Sequence, residues 1–177
     1  MHTQFIQTLY AKEGHPQHRE KLNLYAPLIG SWDFDWVGHE DDGSTWTVPG
    51  EWHFAWVLEG RAIQDNWICP RIDMRSSGKY PDGEYGTTLR YYDFKADCIK
   101  VVWVGPILSQ MSIFEVHQSD SQIIQTEIMH SEKEKKSKWL FKDISDTSFK
   151  WEAYIQPNGE TDWIMNQEVF AKRRAVE

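Results

Sequence analysis

The sequence predicts an all-β protein: an antiparallel up-and-down barrel of about ten strands, preceded by a short N-terminal helix. Three observations carry this. From residue 29 onward apolar residues recur at every second position, the period of a half-buried strand. The segments that show it are joined by connections too short for the crossovers that parallel strands need. The 177 residues include ten tryptophans, eight phenylalanines and seven tyrosines, bulky rings that suit strands and need space between layers. Laid flat, such a sheet would leave two exposed edges, and closure removes them. Ten strands also enclose more room than eight, whose interior is filled by side chains or one small ligand. A β-sandwich is the competing architecture, and the hairpin-like connections favour the meander.

Residues 1–28 read as a helical segment packed on the barrel, and residues 29–173 as one barrel domain. In "HPQHREKLNLYAPLIG", Pro16 stands near a helix start, Leu22, Tyr25 and Ala26 follow at helical spacing, and Pro27 ends the helix. "GSWDFDWV" then puts Trp32, Phe34 and Trp36 on one face and Ser31, Asp33 and Asp35 on the other. Asp42-Gly43 supplies a hairpin turn. "PGEWHFAWVLEGR" sets Trp52, Phe54, Trp56 and Leu58 against Glu51, His53, Ala55 and Val57, and turns at Glu59-Gly60. In "RAIQDNWICP", Ile63, Asp65, Trp67 and Cys69 share a face. Residues 74–85 form the longest polar interruption, read either as a rim or lid or as a plain surface connection. "GTTLRYYDF", "CIKVVWV", "LSQMSIFEVHQ", "QIIQTEIMH", "SKWLFKDIS", "SFKWEAYIQ" and "DWIMNQEVFAK" supply the remaining strands, with Gly105-Pro106, "SDTS" and "PNGET" as turns. Short turns make the first three strands neighbours, so Trp32, Phe34, Trp36, Trp52, Phe54, Trp56 and Trp67 join into one patch. A patch that large has to face inward.

The net charge of −8 argues against nucleic acid, because phosphate binding needs clustered Lys and Arg. The one basic run, Lys133, Lys135, Lys136 and Lys138, is interleaved with Glu132 and Glu134 and reads as a solvated turn. Cys69 and Cys98 form no CxxC pair and read as two buried thiols. No stretch approaches the roughly 18 to 20 apolar residues of a membrane span, and the N-terminus lacks the pattern of a signal peptide. The expectation is a cytoplasmic protein, monomer or homodimer.

"GSW" at the head of the first strand, after a short helix, resembles the opening signature of the calycin superfamily, which includes lipocalins, fatty-acid-binding proteins and nitrobindin-like barrels. The longer run "GSWDFDW…PGEWHFAWVLEGRAIQDNW", followed by "GTTLRYYD", is similar to a group of small bacterial proteins with a lipocalin-like barrel. The resemblance implies a barrel with a binding cavity. It also implies a structural pair, in which the indole of Trp32 stacks on a last-strand arginine, Arg173 or its neighbour Arg174.

No phosphate-cradling glycine loop, HExxH, Gly-x-Ser-x-Gly or dinucleotide fingerprint occurs. His15-x-x-His18 lacks a third ligand, so no metal site is expected. Haem of the nitrobindin kind would need an axial histidine at an apolar rim, for which His117 and His130 are the candidates. Asp33 and Asp35 read as solubilising residues of an outer face. Asp65 lies between Ile63 and Trp67, where an unpaired carboxylate is costly. Either it pairs with Arg61 or Arg90, or it anchors a ligand, and Arg90 and Glu127 carry the same two readings. The expected function is binding of a small, largely apolar (aromatic or acyl) molecule, with Trp36, Trp56, Asp65, Trp67, Arg90, Tyr92, Trp103 and Glu127 as candidate lining. The alternative is an enzyme, an isomerase, lyase, cyclase or hydrolase, working in the same cavity with Asp65 as general base.

Overall fold

The computed structural model describes residues 3–80, 83–119, 121–130, 135–157 and 161–175. Ten strands, β2 (Gly30–His39), β3 (Thr45–Val57), β4 (Ala62–Cys69), β5 (Glu84–Asp93), β6 (Cys98–Gly105), β7 (Gln110–Ser119), β8 (Gln122–His130), β9 (Lys135–Lys142), β10 (Ser148–Pro157) and β11 (Ile164–Arg173), follow one another around a ring. Each pairs antiparallel with the next, and β11 closes the ring on β2, with Phe34 opposite Ala171 and Trp36 opposite Val169. This is a closed up-and-down barrel with no free edge among its ten strands.

The inward positions follow from the period of two. On β2, β3 and β4 they are Trp32, Phe34, Trp36, then Trp52, Phe54, Trp56, then Ile63, Asp65, Trp67 and Cys69. Six rings of the predicted patch belong to one buried core, which continues into Trp103, Phe114, Phe141, Phe149 and Trp151, and the seventh, Trp36, packs half-buried against it, as does Trp139. Gly50 stands opposite Phe34, and a side chain there would collide with the Phe34 ring. Of the two thiols, Cys69 is buried, and burial pushes its pKa up to about 12. Cys98, expected to be buried, is only half-buried, because it opens β6 at the barrel end.

The N-terminal segment departs from its expected single helix. It consists of α1 (Thr3–Leu9), the two-residue strand β1 (Tyr10–Ala11), α2 (Pro16–Arg19) and a 3₁₀ helix over Asn23–Leu28 that contains Pro27. The physical reason is spacing: Leu22, Tyr25 and Leu28 are all fully buried and stand three residues apart, the repeat of a 3₁₀ helix. Their common face closes one end of the barrel. β1 adds to β3 at Val57 and Trp56, just beyond the residues of β3 that pair with β2.

Candidate functional site

Inside the barrel, the half away from this plug holds a cavity of about 120 Å³. Its wall is aromatic. Ring centroids run from Trp36 to Trp67 (5.8 Å), Trp67 to Trp151 (5.8 Å), Trp151 to Trp139 (5.6 Å) and Trp139 to Trp103 (5.9 Å), so five indoles from β2, β4, β10, β9 and β6 form one chain of contacts. Trp52 stands 4.8 Å from Trp67 and adds a sixth. Glu84, Thr88, Leu108, Gln110 and Gln167 complete the lining.

The polar groups differ in how they are held. Trp36 Nε1 donates to Gln167 Oε1 at 3.3 Å. The Glu84 carboxylate accepts from the backbone N–H groups of Tyr85 (2.9 Å), Ile107 and Leu108 (both 3.0 Å), which ties the β6–β7 turn to the start of β5. Trp151 is buried, yet its indole N–H has no hydrogen-bond partner among the described residues. A buried donor left unmade is costly, and a ligand acceptor is one way to satisfy it.

Three predicted lining residues, Trp36, Trp67 and Trp103, stand in this wall. The other five stand elsewhere. Asp65 and Arg90 lie toward the plugged end as an ion pair with neither side chain reaching solvent. Trp52 Nε1 donates to Asp65 Oδ1 at 2.7 Å, and the Arg90 guanidinium sits 4.9 Å from the Tyr25 ring and 5.4 Å from that of Phe54. Of the two readings of Asp65, the geometry is that of the structural pair, with Arg90 and not Arg61; Arg61 pairs with Glu59 on the surface. Trp56 packs beneath β1 beside Gly14. Tyr92 bonds Asp97 and receives Lys21 over its ring at the plugged end. Glu127, half-buried, stands in register with Phe114 next to an irregularity in β7.

Arg173 stacks 4.0 Å above the Trp32 ring, while Arg174 turns outward to Asp33 and Glu51. Of the histidines considered for haem, His117 is exposed, and the side chain of His130 lies outside the described residues. The His15 and His18 rings meet edge to face at 5.6 Å, and among the described residues no three His, Cys, Asp or Glu gather as metal ligands would. In the 74–85 interruption, a one-turn helix α3 (Ile72–Arg75) leads in, and Pro81 and Asp82 lie outside the described residues, as do residues 131–134 with Glu132, Lys133 and Glu134; Lys135, Lys136 and Lys138, expected in a turn, belong to β9.

Sequence reasoning missed Trp139 and Trp151. Their signal was present: Trp139 alternates with Phe141, and Trp151 with Phe149, as in the first three strands. Thr88, Gln110 and Gln167 carried none, since a polar residue on an inward parity reads like any interruption of the pattern.

No known family profile matches the sequence, and no curated protein matches it. Solved structures do share its fold. Rv2717c from M. tuberculosis superposes with a TM-score of 0.60 at 12% identity, over 92% of this chain and 100% of that one. The S-type phycobiliprotein lyase CPES from Guillardia theta does so with a TM-score of 0.56 at 9% identity, over 88% of this chain and 93% of that one. At such identities the likeness is one of fold, a calycin-like ten-stranded barrel.

Proposed function

We propose that the protein binds a small, flat, largely apolar molecule, aromatic or acyl, between the indoles of the unplugged half of the barrel. The observation that supports this best is the unbroken chain from Trp36 through Trp67, Trp151 and Trp139 to Trp103 around an unfilled space. An apolar cavity of roughly 150 Å³ takes a benzene-sized molecule, so about 120 Å³ suits one ring or a short acyl segment. A longer ligand would extend past Leu108, Gln110 and Gln167. An acceptor atom on the ligand would meet the free N–H of Trp151.

Catalysis in the same cavity is the reading that the name of the Guillardia theta neighbour suggests. It needs an acid or base facing the substrate. Among the described residues the carboxylate in the wall is Glu84, and its oxygens are committed to three backbone N–H groups. Asp65 is committed to Arg90 and Trp52. Binding without turnover fits these commitments better.

The test is a fluorescence titration of the intact protein with indole and, separately, with a medium-chain fatty acid. Saturable quenching by one of them, lost in Trp103→Ala, is the expected result. A linear, unsaturated response to both would overturn the proposal.

A further inference from the structure

The outer face of the same strands carries an arrangement that the cavity does not explain. Because Trp32 and Trp52 point inward, Ser31 and Asp33 on β2 and Glu51 and His53 on β3 point outward. The register sets Ser31 directly opposite His53, and Glu51 two residues along the same strand. Ser31 Oγ lies 2.9 Å from His53 Nδ1, and His53 Nε2 lies 3.2 Å from Glu51 Oε2.

We propose that Ser31, His53 and Glu51 form a second, outward-facing site for acyl transfer, in which Ser31 is the nucleophile, His53 the general base and Glu51 the carboxylate that orients it, acting on small carboxylic esters. An ionised carboxylate only accepts hydrogen bonds, so the proton of the neutral ring sits on Nε2, facing Glu51. That leaves the Nδ1 lone pair facing the serine hydroxyl, the arrangement a base needs. The two ring nitrogens are exchanged relative to the serine-protease arrangement, and the proton logic is the same.

Glu51 is built for this role. It is nearly fully buried on an outer face, held by the Ile72 backbone N–H at 2.7 Å and by Arg174 at 2.7 Å. Burial by itself would raise its pKa, but those two donors bring it below the usual carboxylate value, so it is ionised at neutral pH.

Ser31 also has substrate space on two sides. A cleft of about 290 Å³ runs beside Leu9, Tyr10, Ala55, Val57, Gln64 and Asn66 and has room for a short acyl chain. A second, on the other side of Ser31, is walled by Asp33, Arg71, Arg173 and Arg174, with Asp33 paired to Arg71 and Arg174.

The steps balance. Ser31 Oγ bonds to the ester carbonyl carbon as its proton passes to His53 Nδ1. The tetrahedral adduct breaks its C–O bond to the alcohol, which leaves with that proton. Water, giving a proton to His53, then attacks acyl-Ser31, and the acid departs as Ser31 regains its hydrogen.

The test is labelling of the full-length protein with a fluorophosphonate, from which Ser31 Oγ displaces fluoride, followed by peptide mapping. The expected result is an adduct on Ser31, with the labelling rate lowered at least tenfold in His53→Gln, since a positioned general base is worth roughly 10²- to 10⁴-fold. An unmodified Ser31, or a rate unchanged in His53→Gln, would overturn the assignment. Should His53→Gln fail to fold, Ser31→Ala decides alone. It removes one hydroxyl and is expected to abolish hydrolysis of p-nitrophenyl butyrate, and retained hydrolysis sinks the proposal. Neither readout depends on the tryptophan-lined cavity.

Discussion

Asp65 and Arg90 are ion-paired inside the barrel with both side chains wholly removed from solvent, and Trp52 Nε1 donates to the remaining face of the carboxylate. The pair forms a polar layer between the plug of Leu22, Tyr25 and Leu28 and the cavity beyond. Breaking a buried pair leaves one uncompensated charge and costs about 3–5 kcal/mol, whereas replacing both partners by apolar groups is often neutral. Asp65→Asn is therefore expected to lower unfolding stability in urea by that amount. Asp65→Leu with Arg90→Met is expected to recover most of it. If Asp65→Asn unfolds at the wild-type midpoint, the pair is not structural.

The two halves of the barrel should separate in a pair of tryptophan variants. Trp103 lines the cavity, and Trp56 packs under β1 near the plug. Truncating a buried aromatic costs about 3–5 kcal/mol, so both variants should melt lower. Only Trp103→Ala should lose affinity for whichever probe binds, by an order of magnitude or more. Equal affinity in the two variants at a temperature where both are folded would remove the cavity assignment.

Asp33 and Glu51 give the stability a definite pH dependence. For each, burial raises the pKa, and partners more than offset it: Arg174 and Arg71 beside Asp33, and the Ile72 N–H and Arg174 beside Glu51. Both folded-state values lie below the unfolded ones. The stabilisation is thus complete above the ordinary carboxylate range near pH 4 and is lost as pH falls through the depressed values. Thermal melts between pH 7 and 3 should show a steep drop at the acidic end, shallower in Glu51→Gln. A profile equally steep in that variant would move the effect to other carboxylates.

The barrel was legible because its signal is periodic. Every second residue of "GSWDFDWV" and "EWHFAWV" is apolar, as is every second residue of "RAIQDNWIC" apart from Asp65, and short turns leave no alternative to neighbouring antiparallel strands. Three of the six indoles of the cavity wall came with it, since parity alone turned Trp36, Trp67 and Trp103 inward. What parity does not encode is height along the barrel axis. Trp56 and Trp67 share the inward side, yet one lies against the plug and the other in the cavity, because that depends on strand stagger and on where the N-terminal segment inserts. The same gap hid the location of Asp65. The triad-like contact of Ser31 and His53 was missed for another reason: cross-strand register places them together, and two outward polar residues 22 apart look unrelated in sequence.

Arg173 is the joint between the last strand and the plug. Its guanidinium covers the Trp32 ring at 4.0 Å and donates to the carbonyls of Pro27, Ile29 and Asp146. Trp32 Nε1 in turn donates to Leu28 O at 2.7 Å, so indole and guanidinium together hold residues 27–29 against the barrel end. Lysine keeps the charge but has neither the plane to stack nor the fork to reach three acceptors. The stack is worth about 0.5–2 kcal/mol and each hydrogen bond about 0.5–1.5 kcal/mol. Arg173→Lys is thus expected to cost roughly 2–4 kcal/mol, a fall in Tm on the order of 4–16 °C for a chain of this size. The loss should also be local. Hydrogen exchange should speed up first at the 3₁₀ helix of residues 23–28, which carries the released Pro27 carbonyl and ends next to that of Ile29, and later in the barrel strands. Faster exchange spread evenly over all ten strands would mean that the plug is not held by this joint.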